Sequence, residues 1–155
     1  MSPASPADVA RVWFRFIRLS QALSGVASSR LRQAGLSVPQ FDVLSTLTER
    51  EGCTQRELAE RLYVTKGNVS GLIDRLVEAG YVERRAIPGD RRSHALYLTA
   101  AGRTKAEHGM ALHQAIMRET LGALSAQDVL QLDQTLVTWR DVVRKVMDGE
   151  DRART

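Results

Sequence analysis

At 155 residues, 43% hydrophobic and 26% charged, the chain is one domain's worth of sequence with enough apolar material for a core, which excludes wholesale disorder. No stretch reaches the roughly 18 uncharged apolar residues of a membrane span, and the single cysteine, Cys53, excludes an internal disulfide and a cysteine-rich zinc site. The net charge of +4 is local: between Tyr81 and Lys105 six basic residues (Arg84, Arg85, Arg91, Arg92, Arg103, Lys105) face two acids (Glu83, Asp90), and of the totals of 22 and 18 the remaining sixteen of each sign cancel. Such a stretch reads equally as a face for a polyanion or as a solvated surface that happens to be basic.

The first residues do not follow a signal-peptide pattern. Their first charge is Asp8, and Arg11 and Arg15 interrupt the apolar run. Cytosol is the expected compartment, with no membrane partner. Ser5-Pro6-Ala7-Asp8 reads as a helix start, with Ser as N-cap, Pro in the first turn and an acid at the third position. Val9, Val12, Trp13, Phe16, Ser20, Leu23 and Ala27 then recur at spacings of three and four. This predicts one long helix over about residues 6–33, roughly 40 Å at ~1.5 Å per residue. A small domain does not cover a helix of that length, so part of it is expected to meet another chain.

Gly35 ends that helix. Ser37-Val38-Pro39-Gln40 opens the next with a capping box, and Leu36 and Phe41 are placed as a hydrophobic staple. That helix runs to about Arg50, and Gly52 stops it. Thr54-Gln55-Arg56-Glu57 is a second capping box, opening a short helix through Leu58, Ala59 and Leu62. Tyr63-Val64 reads as a break. Thr65 is then expected to cap a helix through Val69, Leu72, Ile73 and Leu76 to Ala79, with Gly80 as its stop. The periodicity changes after Gly80: Tyr81 to Ile87 reads as a strand, Pro88 to Arg92 as a turn, and His94 to Leu98 as the return strand. The expectation is a hairpin with a long basic tip. Thr99 caps a helix from about Ala100 to Leu121, and Ser125 opens the last one. There Val129, Leu132, Leu136, Trp139, Val143 and Val146 form a heptad seam suited to pairing with another helix, or to packing within the chain. The polar tail from Asp148 to Thr155 is expected to fray.

Two short helices with a tight break, followed at once by a hairpin, are the order of a winged helix-turn-helix, whose second helix enters the major groove of duplex DNA. Lys66 and Arg75 are suited to phosphates, Asn68 to an adenine edge, and Ser70 to a base or a phosphate. Gly71 is odd, because glycine inside a helix costs roughly 0.8–1 kcal/mol against alanine; it reads as room for a close approach to the duplex or as a merely tolerated small residue. Arg92 at the hairpin tip has the reach for a minor groove. Asp90 is placed to hold that guanidinium in a bidentate pair, or to form an ordinary solvated one.

The run TQRELAERLYVTKGNVSGLIDRLVEAGYVERRAIPGDRRSHALYLTAAG, residues 54–102, resembles the MarR (multiple antibiotic resistance regulator) family of bacterial transcription factors. The L-A-x-R-L helix, the G-x-V-S-x-L-I-x-R-L helix, the A-G-Y-V-E-R strand, the G-D-R-R tip and the L-T-x-x-G exit all carry the likeness. The resemblance implies a mainly α (α+β) fold. A winged helix-turn-helix over 37–99 would sit beside a helical dimerisation region built from 1–36 and 100–155, with Val9, Val12, Leu132, Leu136, Trp139 and Val143 in the dimer interface. It implies a homodimer on a pseudo-palindromic operator, acting as a cytoplasmic, nucleoid-associated regulator, most often a repressor released by a small aromatic or phenolic effector. Asp90 and Arg92 match the family's tip pair. The DNA-contact set read here is Gln55, Arg56, Thr65, Lys66, Asn68, Ser70, Gly71, Arg75, Asp90, Arg91, Arg92 and Ser93. At Gly71 many members carry a larger residue, which leaves the operator sequence open.

Trp13, Phe16 and Ile17 with Phe41 form a candidate effector pocket, with Arg15 or Arg18 facing an anionic group; individually, each of these aromatics is better read as dimer core. Cys53 reads as a buried structural thiol, with a redox-sensing regulator as the alternative. A winged-helix protein–protein module is the other alternative, against which the basic tip argues. His108 and His113 are five apart, about 140° of helical rotation, and share no face. No metal or cofactor is expected. No nucleophile elbow, phosphate-binding glycine loop or carboxylate pair appears, so the chain reads as non-enzymatic.

Overall fold

The computed structural model describes residues 4–62 and 66–153, without the side chains of residues 66, 67 and 150–153. Two compact units make up the chain, residues 1–114 and 115–155. Six α-helices occur among the described residues: α1 (Pro6–Gln33), α2 (Val38–Glu49), α3 (Gln55–Leu62), α4 (Lys66–Glu78), α5 (Ala100–Glu119) and α6 (Ala126–Ala153). One antiparallel hairpin, β1 (Val82–Ile87) and β2 (Asp90–Leu98), stands between α4 and α5. The fold is mainly α with a small β-hairpin, in the order of a winged helix-turn-helix.

Local signals place the helix starts. The Ser5 hydroxyl accepts the Asp8 N–H at 3.2 Å. At α2 the Ser37 hydroxyl accepts the Gln40 N–H at 3.3 Å, while the Gln40 amide oxygen accepts the Ser37 N–H at 2.9 Å. Leu36 and Phe41, the staple on either side of that box, are both buried. Thr54 and Glu57 repeat the exchange at α3, with the Thr54 N–H donating to the Glu57 carboxylate at 2.7 Å and the Glu57 N–H to the Thr54 hydroxyl at 3.2 Å. The Thr54 N–H, and the Thr54 hydroxyl 3.1 Å from the same carboxylate oxygen, hold the Glu57 carboxyl below its ordinary range. The expected break at Tyr63-Val64 and the Thr65 cap lie outside the described residues.

Gly80 closes α4 in a Schellman motif. The Tyr81 N–H donates to the Leu76 carbonyl at 2.9 Å and the Gly80 N–H to that of Val77 at 2.9 Å, with Gly80 at φ 76°. The chain turns directly into β1. The hairpin differs from expectation at its tip, where only Pro88 and Gly89 lie outside the strands. Pro at the first central position and Gly89 at φ 84° suit a type II turn, so β2 already begins at Asp90. Pairing then slips: Ile87 faces Asp90 but Ala86 faces His94, so Arg91, Arg92 and Ser93 loop out of the ladder as a bulge. The tip is a short turn beside a basic bulge, not a long loop.

The segment before α3 is bonded to β2 through its backbone. The Gly52 N–H donates to the Leu96 carbonyl at 2.7 Å, the Leu96 N–H to that of Cys53 at 2.9 Å, and Thr54 bridges Ala95. One apolar core joins these elements. Leu31, Leu36, Val43, Leu44, Leu47, Leu58, Val69, Ile73, Leu76, Val82 and Leu96 are all essentially inaccessible, and no polar or charged residue among those described is buried with them. In the second unit, a 3-10 turn over Leu121–Ala123 leads to α6, where the Ser125 hydroxyl accepts the Asp128 N–H at 3.1 Å. Of the tail expected to fray from Asp148, the part to Ala153 is helical as the end of α6, and residues 154 and 155 lie outside the described residues. No described helix is long and apolar enough to cross a membrane.

Thr99 joins hairpin and α5. Its hydroxyl donates to the Gly80 carbonyl at 2.6 Å and accepts the Gly102 N–H at 2.9 Å. This draws α5 so close to Tyr81 that a Cβ at Gly102 would lie 1.8 Å from the Tyr81 carbonyl oxygen. Backbone must move to admit it, so Gly102→Ala should cost at least the ~1–3 kcal/mol of core overpacking. Thermal unfolding followed by circular dichroism is expected to show a clear fall in Tm.

Candidate nucleic-acid interface

The rotation of α4 about its axis is fixed by what it buries. Val69, Leu72, Ile73 and Leu76 face the core. At 100° per residue, Asn68, Gly71 and Arg75 fall within about 60° of one another on the outer side. All three are exposed, while Ser70 is half-buried about 100° further round the helix from Gly71. A polar outer face on the second helix of a helix-turn-helix is the arrangement that enters a major groove. Thr65 lies outside the described residues. Lys66 is the first residue of α4, and its side chain is not described.

The basic stretch sorts into two kinds of residue. Arg84 reaches across from β1 to the Asp74 carboxylate at 2.5 Å and to the Gln55 amide oxygen at 3.3 Å, tying α4, β1 and α3 together. Arg85 pairs with Glu83 and lies over the Tyr97 ring, 4.0 Å from its centroid. Arg103 pairs with Glu51 at 2.7 Å. The Lys105 ammonium donates to the Ala34 carbonyl at 2.6 Å, at the negative end of the α1 dipole. Four of the six cations counted in the sequence therefore serve the fold. Arg91 and Arg92, in the bulge, are exposed and carry no ion pair among the described residues, as does Arg75 on α4. Arg56 is exposed but pairs with Glu60 at 3.1 Å.

Asp90 acts differently from the expected guanidinium clamp. One of its carboxylate oxygens accepts the backbone N–H of Arg92 at 2.9 Å and of Ser93 at 3.2 Å. It folds the bulge by its backbone and leaves both arginine side chains facing solvent. The Arg92 amide, followed by the Ser93 hydroxyl and then the Ser93 amide, holds the Asp90 carboxyl below its ordinary range. Reasoning from sequence missed this role and that of Arg84. The Asp-x-Arg-Ser spacing is the signal for the first. The second requires knowing that Asp74 and Gln55 converge on one strand.

The candidate effector residues are not brought together in one chain. Phe41 is buried in the core, its ring 5.5 Å from that of His113. Trp13 and Phe16 are exposed and Ile17 half-buried on the first half of α1, with Arg15 and Arg18 exposed beside them. Phe16 precedes Leu31, the only buried residue of α1 among those described, by 15 residues or about 22 Å of helix. A cavity of about 280 Å³ lies instead at the α1–α2 junction, lined by Ser28, Arg32, Gly35, Leu36 and Ser37. Cys53 is buried, and burial followed by the Glu57 charge pushes its thiol up, so it is held as the unreactive thiol. This argues against peroxide sensing at that residue.

A family model described as MarR family matches residues 34–93. An HTH-type transcriptional repressor of Mycobacterium tuberculosis is 32% identical over 120 residues, 77% of this chain and 86% of that protein. The chain belongs to the MarR family. An uncharacterized HTH-type transcriptional regulator of Bacillus cereus is 31% identical over 99 residues, 64% of this chain, and the match spans 65% of that relative's length. Among solved structures, a mutant MarR of E. coli complexed with operator DNA superposes with a TM-score of 0.74 at 27% identity, covering 87% of this chain and 98% of that one. CouR of Rhodococcus jostii, bound to p-coumaroyl-CoA, gives a TM-score of 0.72 at 28% identity, covering 85% and 93%. The span matched by the family model takes in α2, α3, α4, β1 and the bulge that holds Asp90 and Arg92.

The Asp90 bonds make a measurable prediction. Because the folded pKa is depressed, the ordering they supply is present above the unfolded carboxyl value of about 3.9 and is lost as pH falls through the lower folded value. Slow amide exchange at Arg92 and Ser93 should therefore be insensitive to Asp90 titration between about pH 5 and 8 once intrinsic exchange is removed. Asp90→Ala should abolish it throughout, while Tm changes little.

Proposed function

We propose that this MarR-family protein is a homodimeric, sequence-specific DNA-binding transcriptional repressor whose operator affinity falls when a small aromatic or phenolic ligand binds. The observation that carries the DNA-binding reading is the pair of unneutralised arginines, Arg91 and Arg92, held in the hairpin bulge, together with the polar outer face of α4. The fold likeness to an operator-bound MarR supports it. The wing and Arg75 supply electrostatic capture of phosphates, Asn68 reads a base edge, and Ser70 and Lys66 are assigned to further contacts with the duplex. Gln55 and Arg56 open α3 close to the same surface and are assigned to backbone contacts, as is Ser93 in the bulge.

Uncovered apolar surface supports the dimer. On α1, Val9 and Val12 are each 56% exposed, with Trp13, Phe14 and Leu19 also open. On α6, Val129, Leu132, Leu136, Val143 and Val146 of the heptad seam are exposed, with Trp139 half-buried among them. Contiguous apolar stripes of this length mark association surfaces. We assign both to a second copy of the chain, with helices from 1–36 and 100–155 forming the dimer region and 37–99 the reading head. Two reading heads then address half-sites about 34–36 Å apart. A ligand releases DNA only by binding better to a dimer geometry that misses this spacing. We assign Trp13, Phe16 and Ile17 to a ligand site where two copies adjoin, and the CoA ester held by CouR supports an acyl-aromatic chemistry. The compartment is the bacterial cytoplasm.

Sedimentation of the purified chain should give a dimer, and a monomer would overturn the assignment. Binding to an inverted repeat from DNA upstream of its own gene tests the rest. Arg92→Ala should weaken binding to all duplexes and lower the slope of log K against log salt by about 1. Asn68→Ala should relax preference at one position per half-site by ~1–3 kcal/mol. Aromatic carboxylates or their CoA esters are expected to lower operator affinity and alter tryptophan fluorescence; no change with either class removes the ligand from the proposal.

A further inference from the structure

Glycine inside a helix needs a reason, since it weakens the helix relative to alanine. Gly102 has one in its contact with the Tyr81 backbone, and Gly109 has another, because a Cβ there would lie 2.6 Å from the Phe41 ring. Gly71 has neither. A Cβ built on it meets nothing within 4 Å beyond the helix itself. Its backbone is ordinary right-handed helix, absent from the glycines with positive φ. It lies well inside α4, on the side turned away from Val69, Leu72, Ile73 and Leu76, so no core packing asks for a missing side chain. Nothing within the fold requires glycine at this position.

The position has a second property. Asn68 and Arg75 flank it on the same exposed face, one turn to either side, each with a side chain able to reach past it. Gly71 is the low point between them, where helix backbone rather than side chain forms the surface. The duplex is the partner whose shape and charge match this face, through the exposed Arg75 on α4, with Arg91 and Arg92 exposed on the hairpin.

We propose that Gly71 is a specificity-determining residue that sets how deeply α4 seats in the major groove: its bare backbone lets the helix approach the base edges closely enough for the short Asn68 side chain to reach them. The proposal rests on the DNA-binding reading given above. It separates two quantities that a structural glycine would move together. Filling the gap strengthens the helix and lifts it off the bases, so stability rises while operator affinity falls. The loss is larger for a preferred sequence than for a random duplex, because a loosely bound duplex is held by phosphates and the helix sits further out.

The test uses the full-length protein and a duplex that wild type enriches from a random-sequence pool. Gly71→Ala is expected to raise Tm and to weaken binding to that duplex by about tenfold, the scale of one lost groove contact. Gly71→Leu, which offers no hydrogen bond to a base, should weaken it further, and both should bind a scrambled duplex nearly as wild type does. Repeating the enrichment with Gly71→Ala should blur the preferred base at the position that Asn68→Ala blurs. Unchanged affinity for the enriched duplex in Gly71→Ala, with Arg92→Ala still impaired, overturns this inference and leaves the DNA-binding reading standing. A fall in Tm for Gly71→Ala also overturns it, since the glycine would then serve the fold. Failure of wild type to enrich or bind any duplex at low salt overturns the DNA-binding reading and this inference with it.

Discussion

The apolar side of α4 governs what the rest of the molecule presents. Val69, Ile73 and Leu76 are fully buried, each contributing on the order of 1.5–3 kcal/mol of burial, so the helix cannot rotate without exposing them. Its outer surface is thereby fixed as Asn68, Gly71 and Arg75. The Schellman closure at Gly80 then fixes where the chain leaves α4 and hence where β1 starts. The Thr99 hydroxyl, bonded both to the Gly80 carbonyl and to the Gly102 amide, ties the far end of the hairpin to the same point. Helix and wing are positioned by one junction.

Charge is divided by location within this frame. Cations near the junction are consumed by the fold: Arg84 by Asp74 and Gln55, Arg103 by Glu51, and Lys105 by the carbonyl end of α1. Cations at the tip are left unneutralised because Asp90, the nearest acid, directs its carboxylate at backbone amides. Net charge along the sequence therefore overstates the positive surface, and the structure concentrates it at Arg91 and Arg92.

Much of the fold was legible in the sequence because its signals are local. Capping boxes at Ser37 and Thr54, the glycine stops at Gly35 and Gly80, and the three-four spacing of α1 and α6 each involve residues a turn apart. The tip was less legible. A two-residue Pro-Gly turn followed by a bulge has the same composition as a long loop, and only the pairing partners of Ala86 and Ile87 distinguish them. Phe41 shows the other limit. Its aromatic character fits a pocket or a core, and the choice depends on Leu36, Gly109 and His113, two of which lie more than sixty positions away. The uncovered stripes of α1 and α6 were visible as periodicity, but nothing in a single chain specifies how they are covered.

Asp90's use of the backbone separates the shape of the wing from its electrostatics. The two carboxylate–amide bonds span about 3 Å, well inside the Debye length of about 8–10 Å, and mobile ions do not weaken them. The field that Arg91 and Arg92 project into solvent extends beyond that length and is screened. Rising salt therefore dims the attraction of the tip at long range while its conformation stays as it was, so ionic strength acts on this hairpin as a volume control and not as a switch.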